Sequence, residues 1–322
     1  NMLIADSRHD SEATMSIEED LSHFEPDRDS TITIGVFDGV HRGHRHLIGR
    51  LVQEARSAGV LAGVLTFKNH PITILRPGVK ALLLTDLDER IRLLKELGVD
   101  FVVPVRFDRE LAGLPSREFL LHLYEKLRMR RLIVGPDFAM GRDRDGTLDT
   151  LPAIGESIGF TFEAVDLMTD SVGVVKSTTI RNSIAEGDVS RAARLLGRNF
   201  SVSGVVGHGE ERGRELGFPT ANLELAPGFI FPADGIYAAW AHLDSGSYMA
   251  ATSIGVRPTF DDGENRTIEA YLLDFSDDIY DQPLRLEFVR RLRGEEKFDT
   301  IEALLAQMDE DVRQTREILT DC

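Results

Sequence analysis

The sequence predicts a mixed α/β protein in which a parallel α/β domain is followed by a small antiparallel β-barrel with a C-terminal helix. From Thr31 to about residue 165, apolar strand-like runs alternate with amphipathic stretches, which is typical of a mostly parallel sheet covered on both faces. After about residue 185, short β-type runs follow one another with frequent turns, as in a small barrel or sandwich. We therefore expect domains at 30–185 and 186–322, preceded by a flexible acidic extension at 1–29 with at most one short helical turn.

The elements of the first domain follow from hydrophobic periodicity and from glycine stops. The predicted strands are TITIGVF, VLAGVLTF, FVVPV, RLIVG and FTFEAV. The predicted helices are HRHLIGRLVQEARSAG, ERIRLLKELG, SREFLLHLYEKL and a stretch that ends at Gly159. Thr85 with Asp88 resembles a capping box ahead of the second helix. Because ligands of such sheets bind beyond the carboxyl ends of the strands, we look for chemistry in the loops after strands.

The second domain begins after a predicted helical connector, SIAEGDVSRAARLLG. Its predicted strands are FSVSGVV, GIYAAWAHL, YMAATSIGV, TIEAYLLDF and LRLEFVRRL. The chain then closes with FDTIEALLAQMDEDVRQTREIL, whose apolar spacing is helical and whose N-cap we expect to be Asp299.

Composition excludes several classes of function. With 37 basic and 54 acidic residues the net charge is −17, which disfavours nucleic-acid binding as the main role. Cys322 is the one cysteine, so a disulfide scaffold, cysteine-ligated zinc and cysteine catalysis are not expected. No apolar run is long enough to cross a bilayer and no signal sequence is recognisable, so we expect a cytoplasmic protein without membrane contacts. The sequence leaves the oligomeric state open, a homo-oligomer included.

The first group of residues with chemical potential follows the first strand. TITIGVF runs directly into DGVHRGHRHL and a helix, whose N-terminus supplies unpaired N–H groups and the positive end of the helix dipole. His41 and His44 would place two imidazole donors on a phosphate-sized site, which suits attack on the α-phosphorus of a nucleotide. The alternatives are a metal site that includes His46, and plain surface residues on a loop. Neither G-x-G-x-x-G nor G-K-[ST] is present here, which disfavours a dinucleotide site and a P-loop.

The second group is the glycine-rich stretch GVVGHGEERGRELGFPTANL. We expect its glycines to form a flexible flap whose N–H groups cradle phosphates. The hydroxyl of Thr220 and the side-chain carbonyl of Asn222 are hard oxygen ligands that suit Mg²⁺. The same composition would also fit an ordinary long turn.

These motifs resemble two known families. G-x-F-D-G-x-H-x-G-H, from Gly35 to His44, resembles the HxGH nucleotidyltransferase superfamily with its Rossmann-like domain, and within it the bacterial FAD synthetases. The later STTIR resembles the turn that closes that site. The resemblance implies His41, His44 and Arg181 as catalytic residues. It also implies a nucleotide-binding set consisting of Gly35, Phe37, Asp38, Gly39, Ser177 and Thr178.

A further loop, GPDFAMGRDRDG, resembles the flavin loop of the same family and implies that Asp137 and Phe138 bind flavin; a turn with a packed Phe is the alternative. We expect its glycines to let the loop close. The chain departs from the family at two places. Asn69 stands in TFKNHP where the family usually has proline, and Lys176 replaces a serine. Asn69 could alter a rigid loop beside the flavin, and Lys176 could grip phosphate or be solvated.

The stretch from Gly213 to Asn222 matches the riboflavin kinase signature G-R-x-L-G-F-P-T-A-N, and EAYLLDF resembles the strand that carries that family's catalytic glutamate. The resemblance implies Glu269 as general base or positioning group and Thr220 and Asn222 as metal ligands. The nucleotide-binding glycines and arginine would be Gly204, Gly207, Gly213, Arg214 and Gly217. Arg257 and Arg293 would be structural or near the ligand.

Together the resemblances imply a bifunctional enzyme of flavin-nucleotide synthesis. It would phosphorylate riboflavin to FMN and adenylylate FMN to FAD, with ATP as co-substrate and Mg²⁺ or Mn²⁺ as the metal. One alternative is a riboflavin kinase whose first domain is weakened or redirected to another nucleotide or flavin analogue, which the two departures suggest. Another is a flavin-binding protein without turnover.

Overall fold

The computed structural model describes residues 17–79, 81–166, 169–170, 173–208, 218–256 and 266–321. The described residues form two compact units. The first unit consists of the described residues within the ranges Asn1–Val36, Leu47–Val79 and Leu94–Asp166. The second consists of those within Phe37–His46, Lys80–Leu93 and Leu167–Cys322. The boundary between domains that we expect at residue 185 stays a prediction. No helix in the described ranges is long and apolar enough to cross a membrane.

The first unit is built on a five-stranded parallel sheet, as predicted. Its strands are β1 (Ser30–Ile34), β2 (Leu61–Phe67), β3 (Phe101–Val105), β4 (Met129–Val134) and β7 (Thr161–Ala164), in the order β3-β2-β1-β4-β7. The central strand β1 is buried along its whole length. It pairs Ile32 with Gly63 on one side and with Leu132 on the other. A strand buried on both faces explains why TITI reads as a continuous apolar and β-branched run rather than an alternating one.

The helices of this part of the chain agree with the predicted pattern. They are α2 (Arg42–Ala58), α3 (Pro71–Leu75), α4 (Leu87–Glu96), α5 (Arg109–Gly113), α6 (Ser116–Lys126) and α7 (Leu151–Ile158). Gly59 and Gly159 end α2 and α7 with φ of 68° and 109°, which an L side chain rarely adopts. The predicted capping role of Thr85 is wrong, because the carboxylate of Asp86 accepts from the N–H of Glu89, 2.7 Å away.

A short helix, α1 (Ile17–Ser22), corrects the prediction of a flexible extension for its residues. Leu21 is fully buried in the core of the first unit. The carboxylate of Asp20, 3% exposed, accepts from Lys68 Nζ at 2.8 Å and from the N–H of Arg106 at 2.9 Å. Lys68 and Arg106 directly follow β2 and β3, so α1 is anchored at the carboxyl ends of these two strands. Residues 1–16 lie outside the described residues.

The second unit contains the predicted antiparallel barrel, which is closed. Its strands are β10 (Phe200–Gly207), β11 (Ala221–Glu224), β12 (Gly235–Leu243), β13 (Gly246–Val256), β14 (Arg266–Leu272) and β15 (Pro283–Arg293), in the order β10-β11-β14-β13-β12-β15. Closure leaves no open sheet edge. In β14, Ile268, Ala270 and Leu272 are buried, while Glu269 and Tyr271 between them are partly exposed. The alternation therefore places Glu269 on the outer face of the barrel.

Among the described residues, three helices accompany the barrel. The predicted single connector is two helices, α8 (Ser177–Ala185) and α9 (Val189–Leu196), because Gly187 adopts a φ of 80° and the side chain of Asp188 caps α9. The C-terminal helix α10 (Ile301–Thr320) is capped by Thr300, whose hydroxyl accepts from the N–H of Ala303, so the prediction of Asp299 is wrong. Arg293 pairs with the buried Asp311 of α10, which is a structural role.

Two short hairpins complete the described elements. β5 (Ala139–Met140) pairs with β6 (Gly146–Thr147) around a 3₁₀ turn at Arg142–Arg144. β8 (Thr169–Asp170) pairs with β9 (Gly173–Val174).

Candidate active sites

The turn between β1 and α2, residues 37–40, has an unusual backbone. Phe37, Gly39 and Val40 have φ of 51°, 81° and 38°. Such values are uncommon for residues other than glycine, and they persist where surrounding contacts hold them in place. A Cβ on Gly39 would lie 2.8 Å from Leu84 Cδ1, so this position has no room for a side chain. The turn is a tightly held structure rather than a flexible surface loop.

Asp38 is the internal anchor of this turn. Its carboxylate is 2% exposed and accepts from the N–H groups of Leu84, at 2.9 Å, and Thr85, at 3.2 Å. Arg181 donates to the same carboxylate through Nη2 at 2.5 Å, and through Nε to the carbonyl of Leu82 at 2.7 Å. The family resemblance implies that Asp38 binds nucleotide, whereas in the structure its carboxylate accepts from protein donors and so fixes the guanidinium of Arg181.

His41 and His44 lie together at the start of α2. Their rings stack with centroids 3.5 Å apart, and the N–H of His44 donates to Nδ1 of His41 at 3.2 Å. His41 therefore caps α2, which begins at Arg42. Because Nδ1 accepts this bond, the proton of neutral His41 resides on Nε2, which remains a donor.

Both histidines are held neutral. Burial lowers the pKa of His41, which is 5% exposed, to about 4, and the positive Arg181 and Arg198 act in the same direction. Burial also lowers the pKa of His44 well below its usual value, helped by His41 and Arg90. At neutral pH the pair is thus a set of neutral hydrogen-bond donors, while arginines supply the positive charge. Among the described residues no group of three or more His, Cys, Asp or Glu side chains is placed to hold a metal ion, and His46 is exposed.

Two arginines that sequence analysis missed contribute to this positive region. Arg90, on α4, is 1% exposed. Arg198, between α9 and β10, has its pKa lowered to about 10 by burial and so stays protonated at neutral pH. Neither residue belongs to a motif, and no local signal in the sequence identifies them. The charge of Arg198 lowers the pKa of His41 and the charge of Arg90 lowers the pKa of His44, so both arginines help to keep the histidine pair neutral.

The start of α8 contributes the hydroxyl groups of Ser177 and Thr178. Ser177 Oγ donates to the carbonyl of Asp38 at 3.1 Å, while Thr178 is exposed. Lys176 is the N-cap residue and makes no side-chain cap bond. A Cβ on Gly43 would lie 3.3 Å from the carbonyl of Val175, so the residues just before α8 approach the histidine turn closely. The structure thus brings His41 and His44 into contact and links both Arg181 and Ser177 to Asp38, while the catalytic and nucleotide-binding roles of these residues stay predictions.

The remaining residues implied for the first domain have other surroundings. Gly35 donates its N–H to the carbonyl of Leu65, which continues the pairing of β1 with β2. Asp137 is exposed, and Phe138 is a partly buried side chain packed on the core of the first unit. Their flavin-binding role stays a prediction.

Two of the three glycines in the loop that carries Asp137 and Phe138 are tightly packed, whereas a Cβ on Gly135 would meet no atom within 4 Å. A Cβ on Gly141 would lie 2.6 Å from the backbone nitrogen of Ser116, and one on Gly146 would lie 2.6 Å from Ser116 Cβ. Asp145 accepts from the N–H of Ser116 at 3.1 Å. Gly141 and Gly146 therefore permit close packing of the β5–β6 hairpin on the start of α6, which corrects the expectation of loop freedom at these two positions.

Asn69 has a defined structural role. Its Nδ2 donates to the carbonyl of Phe107 at 2.8 Å, and its Oδ1 accepts from the N–H of Phe107 at 2.9 Å. The side chain thus forms a reciprocal pair that joins the loops after β2 and β3. Asn69 holds this loop by hydrogen bonds where a proline would hold it by its fixed φ.

The second candidate site lies on the outer face of the barrel. Asn222 on β11 is the direct cross-strand partner of Glu269 on β14. Thr220 Oγ1 donates to Glu269 Oε2 at 3.4 Å. Two side chains with hard oxygen atoms and one carboxylate therefore lie together, and their role as metal ligands and proton acceptor stays a prediction.

The predicted flap needs correction at its beginning. Gly204 and Gly207 lie in β10, where a Cβ would come within 2.2 Å of the carbonyl oxygen and of Oε1 of Glu224, respectively. They permit close strand packing rather than flap motion. Gly209, Gly213, Arg214, Gly217 and Arg257 lie outside the described residues.

Comparisons with known proteins match the chain in two consecutive segments. The protein-family profile for FAD synthetase matches residues 23–179, and the profile for riboflavin kinase matches residues 196–319. A curated relative from Bacillus subtilis, named bifunctional riboflavin kinase/FMN adenylyltransferase, is 34% identical over 289 residues, 88% of this chain and 91% of the relative. Relatives of the same name from Escherichia coli K12 and Pseudomonas fluorescens are both 36% identical. They cover 91% and 94% of this chain, and the match spans 93% and 97% of their own lengths.

A solved structure from Streptococcus pneumoniae, described as a macrolide-efflux protein, is similar to this chain with a TM-score of 0.86 and 32% identity. The match covers 92% of this chain and 96% of that one. The arrangement of elements is therefore one that a solved structure shares over nearly the whole chain.

Proposed function

This chain belongs to the family of bifunctional riboflavin kinase/FMN adenylyltransferases, and from that premise we propose that it converts riboflavin to FMN and FMN to FAD. One observation carries the proposal: each of the two matched segments contains its own group of polar side chains of the kind that the reaction needs. His41, His44 and Ser177 lie in the FAD synthetase segment, and Thr220, Asn222 and Glu269 lie in the riboflavin kinase segment.

In the adenylyl transfer that we propose, a phosphate oxygen of FMN attacks the α-phosphorus of ATP. The bond from that phosphorus to the bridging oxygen breaks, and pyrophosphate leaves. His41, His44 and Arg181 stabilise charge on the phosphoryl oxygens, and the start of α8 adds N–H donors. No protein nucleophile is needed, because such sites act by positioning and charge stabilisation. Neutral histidines suit this role, since they donate hydrogen bonds without titrating near neutral pH.

In the kinase step that we propose, Glu269 accepts the proton of the terminal ribityl hydroxyl. The oxygen of that hydroxyl attacks the γ-phosphorus of ATP, and ADP leaves. The oxygen atoms of Thr220 and Asn222 fit a hard divalent cation such as Mg²⁺ or Mn²⁺. The group of Thr220, Asn222 and Glu269 contains a single carboxylate, so a bound cation would also need oxygen ligands from the phosphates of the nucleotide. Such a metal supplies neutralisation of charge on the phosphates.

The test is a product analysis with the purified chain. Riboflavin, ATP and Mg²⁺ are incubated with the protein, and the flavins are separated by chromatography over time. We expect FMN to appear first and FAD to follow, and we expect FAD directly when FMN is supplied. Reactions without ATP, or with the metal chelated, serve as controls.

Two outcomes would contradict the proposal. Accumulation of FMN without FAD would favour a kinase with a weakened or redirected first domain. Absence of any new flavin would favour a protein that binds flavin without turnover. Asn69, one of the departures that suggested weakening, is bonded at both ends of its amide, and this supports a loop that is held in a defined conformation.

A further inference from the structure

The turn that carries the adenylyl-transfer histidines is held from a distant part of the chain. Arg198 Nη1 donates to the carbonyl oxygen of Gly39 at 2.8 Å. Arg198 lies within the segment matched by the riboflavin kinase profile, and Gly39 lies within the segment matched by the FAD synthetase profile. A residue of the kinase segment thus bonds directly to the backbone of the other activity's candidate site.

Arg198 is presented by a rigid junction. Gly197 has a φ of 75° and ends α9 with a bond from its N–H to the carbonyl of Ala193, and β10 begins two residues after Arg198 at Phe200. Leu196 Cδ2 would lie 3.3 Å from a Cβ on Gly39, so apolar packing accompanies the hydrogen bond. The guanidinium is therefore fixed between a capped helix and a barrel strand.

Gly39 is also held through its N–H. That group donates to Thr85 Oγ1 at 3.1 Å, while the N–H groups of Leu84 and Thr85 donate to Asp38. Leu83, the residue just before Leu84, donates its N–H to the carbonyl of Gly228 at 2.8 Å, and its own carbonyl accepts from the N–H of Ile230 at 3.0 Å. This second support also leads back to the kinase segment.

We propose that Arg198 is a positioning residue for adenylyl transfer. Its guanidinium holds the carbonyl of Gly39 and so maintains the turn at 37–40, whose positive φ values require support. The turn leads directly to His41, and a charged donor in a partly buried place makes a stronger bond than a neutral one. The inference rests on the proposed function, because it assigns a residue to the FAD-forming step.

The test compares three variants in the full chain. Arg198→Gln removes the charged guanidinium, and Arg198→Lys keeps the charge with a single ammonium. Arg194→Gln, the control, removes an exposed arginine from the last turn of the neighbouring helix α9. We expect Arg198→Gln to lower kcat for FAD formation from FMN about 10²-fold, because a misplacement of reacting groups by about 1 Å costs that much. KM for ATP and FMN should stay near wild type, Arg198→Lys should recover part of kcat, and Arg194→Gln should match wild type.

FMN formation from riboflavin in the same samples is the internal control for folding, together with the fluorescence of Trp240 on β12. Wild-type kcat for FAD in Arg198→Gln would overturn the inference, as would an equal loss of both activities. A raised KM for ATP at unchanged kcat would assign Arg198 to substrate binding instead. Failure of the wild-type chain to form FAD would overturn the proposed function first and is visible before any variant is made.

Discussion

The two candidate sites are held together in different ways. Asn222 and Glu269 are neighbours because β11 and β14 pair in register, and Thr220, the residue just before β11, reaches Glu269 through its hydroxyl. His41 and Arg181 are brought together through Asp38, whose carboxylate accepts from Arg181, a residue 143 positions away in the chain. The first arrangement needs only regular strands, and the second needs several long-range side-chain bonds at once.

Because of this difference, substitutions should affect the two sites in different ways. In the proposed kinase step, a substitution of Glu269, Thr220 or Asn222 removes a proton acceptor or a metal ligand and leaves the paired strands in place. A substitution around the histidine turn also affects the backbone, because Phe37, Gly39 and Val40 hold positive φ values that local sequence does not favour. We therefore expect substitutions in the barrel site to lower the reaction rate without a change in the backbone. Substitutions around the histidine turn should change the backbone conformation of the turn as well as the rate.

The largest effect that we expect is in the barrel. Glu269→Gln removes the proton acceptor while it keeps the size of the side chain, so FMN formation from riboflavin should fall about 10²–10⁴-fold. FAD formation from supplied FMN should remain, since the histidine site does not include Glu269. Initial rates of both reactions on one sample provide the measurement. A parallel loss of both activities would show that the two sites are not separable.

His44→Ala should produce the opposite pattern. Loss of one charge-stabilising donor costs about 10²–10³-fold, and this variant should lose FAD formation from FMN while FMN formation stays near wild type. His46→Ala is the matched control, because His46 is exposed on the same helix. If His46→Ala reduced FAD formation as strongly as His44→Ala, the alternative of a histidine metal site would regain support.

The same contrast explains how much the sequence could predict. Most strands and helices followed from hydrophobic period, but β11, which falls in the predicted glycine flap, and the five-residue helices α3 and α5 did not. Thr220, Asn222 and Glu269 were named from motifs, and the pairing of β11 with β14 places Asn222 opposite Glu269. Arg198 could not be predicted, because its bond to Gly39 spans 159 residues and depends on how the chain packs. The sequence allowed a short helical turn in the N-terminal extension, but the burial of Asp20 and Leu21 in α1 could not be predicted, because six residues are too short for a period to be recognised.

The histidine site should also make stability depend on pH. The pKa of His41 is lowered from 6.5 to about 4 in the folded chain, so the unfolded chain binds more protons between these two values. The free energy of unfolding therefore falls as pH decreases through this window, by about 2 kcal/mol between pH 7 and pH 5 from His41. Denaturation followed by Trp240, in the same unit as His41, measures it. His41→Gln, which cannot titrate, should show a shallower dependence, and equal slopes would contradict the assigned burial.

The smallest effect that we expect concerns Asn69. Asn69→Ala removes two bonds to the backbone of Phe107 in the first unit, and the free energy of unfolding should fall by about 1–2 kcal/mol. Asn69→Pro introduces the residue usual in the family but loses the same two bonds, so it should not raise the rate of FAD formation above wild type. Urea denaturation and FAD formation from FMN measure the two quantities. A proline variant that formed FAD markedly faster would mean that Asn69 weakens adenylyl transfer. That result would also show that a hydrogen-bonded clamp is a poorer support for such a loop than a fixed backbone angle.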